Sequence, residues 1–415
     1  MAVGSWQLAT RNLEPGTPAR TTEVIQSGRR NSALKIQNSK LKTQNSELRI
    51  PYLCTMSKLL QEILPLANYL PSRQRPMIIA GPCSAETEEQ VMQTAQELAK
   101  LPQMAAFRCG IWKPRTRPGD FEGRGEEALL WLERAKEETR LPVCVEVALP
   151  SHIEACLRHG VDVLWIGSRT VVNPFSVNEI AEALKGVDIP VMVKNPVNPD
   201  LLLWIGALER LHQQGIRKLS AIHRGFSAFG SKPFRNLPIW EIPIELRRLF
   251  PDLPVLVDPS HISGNRRMLP HVAQSALNLA FDGLMIESHI RPEEALTDRN
   301  QQLTPDALEK LIHRLAVPHK SSGKEDVLLK ELRREIDDID EKVIQLLARR
   351  METVTHIGNY KKGAGMDYLQ LERWKQVVED RLEKGSARGL SRNFLLKLLH
   401  AIHEESLRKQ AGRKE

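Results

Sequence analysis

Residues 76–111 form one complete strand–helix–strand pattern, and they decide the fold class. The stretch begins with PMIIAGPC (76–83), continues with TEEQVMQTAQELAKL (87–101) and ends with MAAFRCGI (104–111). The two flanking runs are apolar over four or five consecutive residues, which is typical of strands buried on both faces of a parallel sheet. The middle run carries its apolar residues at helical spacing. The stretch therefore predicts a parallel β–α–β unit.

The same pattern recurs further along the chain. Six more β-rich runs follow, with helical patterns such as GEEALLWLERAKEETRL between them. They are PVCVEVAL (142–149), VDVLWIGS (161–168), PVMVKNP (190–196), KLSAIHRG (218–225), PVLVDPSH (254–261) and DGLMIESH (282–289). Eight alternating units over roughly 240 residues predict an α/β fold with a (β/α)8 TIM barrel. A doubly wound open sheet is the alternative architecture, but the even spacing of the eight units favours closure.

Charged or metal-competent side chains follow every predicted strand, at the end where barrel enzymes build their sites. The stretch FRCGIWKPRTRP (107–118) alone holds four cations and no acid before Asp120. A cationic set would suit phosphate and carboxylate groups, and it comprises Arg108, Lys113, Arg115, Arg169, Lys194 and Arg224. A set with sulfur, nitrogen and oxygen donors would suit a borderline divalent metal, and it comprises Cys83, His261, Glu287 and Asp298. Each residue alone has an ordinary structural interpretation; their convergence on one face predicts a site.

Composition and charge disfavour other classes of protein. The 415 residues are 41% hydrophobic and 27% charged, which is typical of a soluble globular chain with two or three domains. No apolar run approaches the ~20 residues of a membrane span. Five cysteines without regular spacing indicate reduced thiols and a cytoplasmic location. Of the net charge of +8, residues 1–55 contribute +5, and no basic motif interleaved with aromatics appears, so we expect neither a nucleic-acid nor a membrane partner.

Residues 1–57 are expected to be disordered or a non-native extension. They are polar and basic, and their few apolar residues cannot bury a core. Two origins remain open for this segment. It has the basic, acid-poor composition of a transit peptide, and it equally fits sequence upstream of a natural start at Met56.

The last ninety residues have a different, all-helical pattern. PHKSSGKE (318–325) predicts a linker, because it is polar and contains Pro and Gly. Beyond it, a helix of about 37 residues would be ~55 Å long, too long to pack within its own small domain. Its apolar residues follow three–four spacing: Leu329, Leu332, Ile336, Ile339, Val343 and Leu346. Further helical patterns span 368–383 and 391–411. One interpretation is a coiled-coil dimerisation module.

Several motifs within residues 58–317 together resemble type I 3-deoxy-D-arabino-heptulosonate 7-phosphate (DAHP) synthases, in particular the shorter type Iβ branch. They are GPCS, KPRT, the Arg169 strand end, VKNP, HRG, DPSHISG and MIESH followed by ALTDRNQQL, in that order. The resemblance implies an aldol-like condensation of phosphoenolpyruvate with erythrose 4-phosphate. It also implies a divalent metal ion, with Mn²⁺ expected first and Fe²⁺, Co²⁺, Zn²⁺ or Cd²⁺ as alternatives.

The resemblance assigns roles to the two sets of residues. The metal would be held by Cys83, His261, Glu287 and Asp298. Phosphoenolpyruvate would be bound by Arg108, Lys113, Arg169, Lys194 and Arg224. The sugar phosphate would be bound by Arg115 and Thr116, and Lys113 is also a candidate for catalytic proton transfer. Glu146 has two interpretations, ordering the attacking water or supporting the site structurally.

A sister barrel enzyme is the alternative to this assignment. 3-Deoxy-D-manno-octulosonate 8-phosphate (KDO8P) synthase uses arabinose 5-phosphate, and in that case the helical segment would be a non-catalytic sensor or dimerisation domain. The sister family has an Asn-containing motif where residues 113–116 are KPRT. The motif therefore favours the four-carbon sugar.

Residues 326–415 resemble AroQ-type chorismate mutases. The resemblance assigns chorismate binding to Arg333, Arg350, Lys361, Arg373, Ser406 and Gln410, with Lys361 and Gln410 as the catalytic donors. Arg333 precedes Arg350 by 17 positions, about 25 Å along a helix, so it would have to serve a partner's site in an intertwined homodimer. Gln370 and Trp374 stand where the family usually has carboxylates that contact the substrate.

The combined prediction is a bifunctional enzyme of aromatic amino-acid biosynthesis that dimerises through its mutase domain. Its substrates would be phosphoenolpyruvate, erythrose 4-phosphate and chorismate. The fusion also suggests that prephenate or chorismate, bound to the mutase domain, inhibits the barrel. A non-catalytic sensor and a simple dimerisation module remain the alternatives for the helical segment.

Overall fold

A computed structural model describes residues 60–70, 72, 74–114, 117–228, 230, 233–318 and 327–412. Several of the expectations above fall on the other residues. The disorder expected for 1–57, the linker beyond Pro318 and the sugar-phosphate residues Arg115 and Thr116 therefore lie outside the described residues.

Within the described residues, eight parallel strands close into a barrel in sequence order. The strands are β1 (Ile78–Gly81), β2 (Met104–Cys109), β3 (Val143–Val147), β4 (Val163–Ile166), β5 (Val191–Lys194), β6 (Leu219–His223), β7 (Val255–Val257) and β8 (Gly283–Glu287). Closure occurs where Ile78 of β1 pairs with Leu284 of β8. The predicted barrel is confirmed, and the open sheet is excluded.

Helices alternate with these strands, as the apolar spacing predicts. They are α1 (Glu88–Leu98), α2 (Glu127–Thr139), α3 (Pro150–Arg158), α4 (Ser168–Val171), α5 (Pro174–Ala183), α6 (Leu201–Gln213), α7 (Glu241–Leu249), α8 (Pro259–Ser263), α9 (Leu269–Asn278) and α10 (Pro305–Arg314). Thr87 and Thr304 cap α1 and α10, since each hydroxyl accepts a hydrogen bond from a backbone N–H in the first turn.

The strands have two buried faces, which explains their apolar runs. One face packs against the helices, and the other fills the barrel interior. The interior layer is Ile79, Ala106, Cys144, Trp165, Met192, Ile222, Leu256 and Met285. Side chains alternate between the two faces of a strand. The residue two positions after each of these interior residues therefore also points into the barrel, nearer the carboxyl end. Those positions hold Gly81, Arg108, Glu146, Gly167, Lys194, Arg224, Asp258 and Glu287.

The amino end of the barrel is closed by the segment before β1. Leu66, Leu70 and Met77 are buried in the same cluster as the interior layer, with Tyr69 packed against it. The Tyr69 hydroxyl donates a hydrogen bond to the carbonyl of Leu219 at the start of β6, at 3.3 Å. The barrel interior is therefore blocked at the end opposite the charged residues.

Residues 327–412 contain three helices, as predicted. These are α11 (Val327–Gly363), α12 (Leu371–Ser386) and α13 (Arg392–Gln410). Helix α13 packs against both α11 and α12, and the Ser391 hydroxyl caps its first turn. Helix α12 begins three residues later than the apolar pattern predicts. None of the helices in the described part of the chain is long and apolar enough to cross a membrane.

Candidate active site

Four donor side chains meet at the carboxyl end of the barrel. Cys83 follows β1, His261 lies in α8, Glu287 ends β8 and Asp298 lies in the loop after it. The Cys83 Sγ is 3.5 Å from Asp298 Oδ2. The His261 Nε2 is 3.7 Å from Glu287 Oε1 and 3.9 Å from Asp298 Oδ2. Cys83, Glu287 and Asp298 offer one sulfur and two carboxylate ligand atoms within 4.8 Å of one another, and the His261 nitrogen adjoins the two carboxylates. Together these donors fit a borderline divalent cation.

Asp258, at the end of β7, orients the histidine of this cluster. Its Oδ2 is 2.8 Å from His261 Nδ1, and its Oδ1 accepts a hydrogen bond from the His261 backbone at 3.0 Å. Burial would raise the pKa of Asp258, but His261 and Lys194 outweigh burial and hold the pKa well below its usual range. The ionised carboxylate therefore leaves Nε2 of His261 facing Glu287 and Asp298, as is common for histidine ligands of metals.

Lys113 lies directly beside the donor cluster. Its Nζ is 3.0 Å from the Cys83 carbonyl and 3.3 Å from the Cys83 Sγ. Burial alone would lower the pKa of Lys113, but Cys83, Glu146 and Glu287 raise it, so the ammonium stays protonated. Burial and the neighbouring Glu287 raise the pKa of Cys83 to about 12. A metal bound there would therefore have to displace the thiol proton.

A cavity of about 610 Å³ opens next to the donor cluster. Several of the predicted site residues line it: Lys113, Arg169, Lys194, Arg224, His261 and Asp298, together with Glu146. Arg224 donates to Asn236 Oδ1 at 2.9 Å, and Arg169 donates to the Pro114 carbonyl at 3.0 Å. The cavity thus brings four members of the cationic set next to two members of the metal-competent set.

Arg108 lies deeper than the other cations and is only 1% exposed. Its guanidinium carbon is 5.1 Å from the centroid of the Trp165 ring, and its Nη2 is 3.3 Å from Glu287 Oε1. Its Nε and Nη1 have no hydrogen-bond partner among the residues that the structure describes. Buried donors without a partner are rare in native proteins, so they indicate a bound anion or water.

Two glycines make room for the site residues. A Cβ on Gly167 would lie 2.1 Å from Glu146 Oε1, and a Cβ on Gly81 would lie 2.0 Å from the Arg108 carbonyl oxygen. Any side chain at either position would displace a residue of the site. This explains why the inward-facing positions at the ends of β1 and β4 hold no side chain.

A second group of polar residues lies between α11 and α13. Arg350 donates to the Ser406 hydroxyl at 2.6 Å. A Cβ on Gly358 would lie 2.7 Å from the Gln410 Cα, so the two helices are in close contact there. The Gln410 Oε1 is buried and has no hydrogen-bond partner within the described ranges. Lys361, one turn after Gly358, is 8% exposed and donates to the Tyr368 carbonyl at 2.8 Å.

The other two predicted chorismate residues are exposed. Arg333 lies on the amino-terminal half of α11. Arg373 lies on α12, where its Nη1 is 3.5 Å from the Gln376 Oε1 of the same helix. Among the predicted chorismate residues, Arg350 and Ser406 are thus in direct contact, and Gln410 and Lys361 are buried nearby on the same two helices.

Comparison with protein families accounts for both groups of residues. The model of the DAHP synthetase I family matches residues 71–318. The chain belongs to the DAHP synthetase I family. The model of type II chorismate mutases matches residues 332–411. The chain therefore carries a DAHP synthase domain and a chorismate mutase domain, and it is a bifunctional enzyme of the shikimate pathway.

Individual relatives agree with the family assignment. A phospho-2-dehydro-3-deoxyheptonate aldolase of Thermotoga maritima is 30% identical over 238 residues, which cover 57% of this chain and 68% of the relative. The crystal structure of a DAHP synthase from the same organism matches with a TM-score of 0.52 and 29% identity, covering 57% of this chain and 67% of that one. A 2-dehydro-3-deoxyphosphooctonate aldolase of Nitratidesulfovibrio vulgaris is 26% identical over 280 residues, covering 62% of this chain and 97% of the relative.

Sequence reasoning missed three residues of the DAHP synthase site. Asp258 lies in the run 254–261 and Trp165 in the run 161–168, but neither pattern predicts a role for these side chains. Arg235 was missed entirely, although it lines the cavity and donates to Asp298 Oδ1 at 2.9 Å. Arg235 lies outside the named strands, so no periodic pattern indicated where its side chain points.

Trp374 of the mutase domain packs against histidines. Its ring stacks on His403 with 3.8 Å between centroids, and it meets His400 edge-on at 5.7 Å. Gln370 precedes α12 in an extended conformation without capping the helix through its side chain. An aromatic–histidine stack therefore joins α12 to α13 at Trp374.

Proposed function

We propose that the barrel cavity holds phosphoenolpyruvate against its cations. The residues assigned to this substrate are Arg108, Lys113, Arg169, Lys194 and Arg224. The observation that carries the proposal is the buried guanidinium of Arg108, whose Nε and Nη1 lack protein partners in the described part of the structure. A carboxylate or phosphate oxygen would supply those partners. The role of Arg115 and Thr116 with the sugar phosphate rests on the family resemblance alone.

The proposed metal ligands are Cys83, His261, Glu287 and Asp298. The family is metal-dependent, and the donor set fits Mn²⁺ as well as Fe²⁺, Co²⁺, Zn²⁺ or Cd²⁺. Once bound, such an ion supplies Lewis-acid activation of the sugar aldehyde. The ammonium of Lys113, 3.3 Å from the Cys83 Sγ, is placed to donate the proton that turns the aldehyde oxygen into a hydroxyl.

Glu146 is proposed to receive a proton in the same reaction. Burial would raise its pKa, but Lys113, Lys194 and Arg108 outweigh burial and lower it, so the carboxylate is ionised. When C3 of phosphoenolpyruvate bonds to the aldehyde carbon, C2 becomes electron-poor, and water adds there. Glu146 takes one proton from that water. The C–O bond to phosphate then breaks, the remaining C2 hydroxyl becomes the ketone, and its proton leaves with the phosphate.

A coupled assay on the full chain tests this function. Phosphoenolpyruvate would be supplied with erythrose 4-phosphate or with arabinose 5-phosphate, each with and without excess EDTA. We expect turnover with the four-carbon sugar and its loss in EDTA. Faster turnover with arabinose 5-phosphate would favour the KDO8P alternative, which the octulosonate aldolase relatives support. Full activity in EDTA would contradict the metal assignment.

For the mutase domain, we propose that Arg350, Lys361, Arg373, Ser406 and Gln410 bind chorismate, with Arg333 supplied by a second copy. Lys361 and Gln410 would donate to the ether oxygen as charge builds on it. The supporting observation is the apolar stripe of α11, which is exposed in one chain: Leu332 is 47%, Ile336 57%, Ile339 49% and Leu346 65% exposed. A large exposed apolar surface usually marks an interface, so we propose a homodimer.

Chorismate loss and prephenate formation by the intact chain test this second proposal. Binding without turnover would support the sensor hypothesis. If the protein neither binds nor converts chorismate, the dimerisation module is the remaining hypothesis for the helical domain.

The remaining expectations are also proposals. The domain limits are 58–317 for the barrel, 318–325 for the linker and 326–415 for the mutase. A cytoplasmic location is supported by four free, buried cysteines among the described residues. We further propose that prephenate or chorismate bound to the mutase domain slows the barrel reaction.

A further inference from the structure

Two proposed metal ligands come from separate loops, and a buried glutamine joins those loops. Cys83 follows β1, and Asp298 lies eleven residues after the end of β8. The Gln302 side chain is fully buried. Its Oε1 accepts a hydrogen bond from the Cys83 backbone at 2.9 Å, and its Nε2 donates to the Thr297 carbonyl at 2.8 Å. One side chain thus binds the backbone of Cys83 and that of the residue preceding Asp298.

A buried carboxylate joins the same two loops a second time. Glu86 is 6% exposed. Its Oε1 accepts from the Leu296 backbone at 2.8 Å and from the Ser84 hydroxyl at 3.1 Å. The Ser84 hydroxyl also lies 2.6 Å from the Thr297 hydroxyl. Glu86 and Gln302 therefore both link the two loops. The groups that they bond belong to Cys83, Ser84, Leu296 and Thr297, each within two positions of Cys83 or Asp298.

The two loops bring like charges and a strained residue together. Glu287 and Asp298 are carboxylates placed close to each other, and their repulsion is countered by Arg108, 3.3 Å from Glu287, and by Arg235, 2.9 Å from Asp298. Asp298 also has a φ of +47°, which side chains other than glycine adopt at a cost. A conformation of this kind persists only when its surroundings hold it.

We propose that Glu86 and Gln302 form a buried clamp that positions Cys83 and Asp298 and thereby sets the affinity of the site for its metal ion. Neither side chain provides a donor to the proposed cluster, so both act as positioning residues through the backbone. The inference rests on the proposed role of Cys83, His261, Glu287 and Asp298 as ligands. Hydrogen-bonding partners behind ligands typically contribute 10–100-fold to metal affinity.

Mn²⁺ binding to the full-length protein tests the clamp. The dissociation constant would be measured by competition with a fluorescent chelator, and the thermal unfolding of the EDTA-treated protein would be recorded alongside. We expect Gln302→Met and Glu86→Ala each to weaken Mn²⁺ binding by about 10–100-fold. Glu86→Gln keeps an acceptor oxygen for the Leu296 backbone, so it should stay within a few fold of the unsubstituted protein.

Asp162→Ala is the matched control. Asp162 Oδ2 accepts a hydrogen bond from the Val143 backbone at 2.8 Å, at the amino end of the barrel. Its loss removes a carboxylate–backbone bond of the same kind without touching the ligand loops. This variant should unfold at a lower temperature while keeping the Mn²⁺ dissociation constant of the unsubstituted protein.

Every other outcome contradicts either the clamp or the proposed metal site. Unchanged Mn²⁺ affinity in Gln302→Met and Glu86→Ala would overturn the clamp, and so would an equal loss of affinity in Asp162→Ala. If Gln302→Met does not fold, the comparison of Glu86→Ala with Glu86→Gln decides, and equal affinities of the two would overturn the clamp. If the unsubstituted protein does not bind Mn²⁺, the proposed metal site is wrong, and the clamp proposal, which depends on it, is wrong as well.

Discussion

Asp258 bonds two residues of the candidate site, Lys194 and His261. Its Oδ2 is 3.0 Å from Lys194 Nζ and 2.8 Å from His261 Nδ1. We expect Asp258→Asn to lower the synthase kcat/KM by about 10–100-fold at saturating Mn²⁺, because His261 loses its anionic partner and Lys194 its counter-ion. Steady-state kinetics would measure this. Unsubstituted rates in a folded variant would contradict it.

Trp165 allows a finer test, because its ring and its N–H can be removed separately. The ring lies under Arg108 and Lys194, and the Nε1 donates to Glu146 Oε2 at 3.0 Å. A hydrogen bond to a charged group contributes about 1.5–3 kcal/mol. We therefore expect Trp165→Phe to lower kcat by roughly 10–100-fold and to leave the KM for phosphoenolpyruvate almost unchanged. Trp165→Leu, which also loses the ring, should raise that KM. Equal effects of both variants on KM would show that the ring does not position the cations.

Cys83 can be compared with a cysteine on the other face of the barrel wall. Cys109 ends β2 and packs in the helix-facing core, away from the donor cluster. We expect Cys83→Ala to abolish synthase activity in a way that excess Mn²⁺ does not restore. Cys109→Ala should keep its metal-dependent activity. If excess Mn²⁺ restores the activity of Cys83→Ala, the thiol is not a required metal ligand.

At the level of residues, the sequence predicted which residues lie at the carboxyl ends of strands better than it predicted where their side chains point. Glu287 and Lys194 directly follow continuous apolar runs, so their place at the carboxyl ends of buried strands follows from the pattern. Because these runs are apolar on both faces, the pattern does not show which face each side chain points to. Arg235 and the Asp258–His261 bond depend on loop geometry, which no periodic pattern describes. The roles of Arg115 and Thr116 stay predictions.

Among the elements, α11 presents the clearest unpartnered surface. Its stripe includes Leu332, Ile336 and Ile339, each close to half exposed or more. If a second copy covers the stripe, Ile336→Lys should bury a charge in the interface and convert dimers to monomers, with chorismate turnover falling in parallel. Light scattering coupled to size exclusion would measure the mass. Gln345→Lys, on the opposite side of the same helix, is the control and should leave the dimer intact. A dimeric Ile336→Lys variant would place the interface elsewhere.

The elements were largely predictable because their apolar periodicities are strong. Each observed strand lies inside one of the eight predicted β-rich runs, and α11 spans the helix expected from three–four spacing. The predicted start of α12 was three residues too early. Tyr368 and Leu369 continue the apolar pattern there, but the chain is non-helical until Leu371, and no strong capping residue marks the boundary.

For the whole molecule, the testable consequence is communication between its two activities. If prephenate inhibits the synthase by binding the mutase domain, Arg350→Ala should raise the prephenate concentration needed for half-inhibition by about tenfold or more, since an ionic contact to a carboxylate is lost. Synthase rates would be expressed relative to each protein's own uninhibited rate. If the variant and the unsubstituted protein give the same inhibition curve, the regulatory site lies outside the mutase domain.

The closed amino end of the barrel decides how molecules reach the active-site cavity. Because Leu66, Leu70 and Met77 fill that end, both substrates and both products must enter and leave at the carboxyl end. Arg108 and Lys194, the cations assigned to phosphoenolpyruvate, are almost fully buried, at 1% and 4% exposure. Whichever molecule sits deepest has to arrive first, so initial-rate patterns should show a compulsory sequence with phosphoenolpyruvate ahead of the sugar.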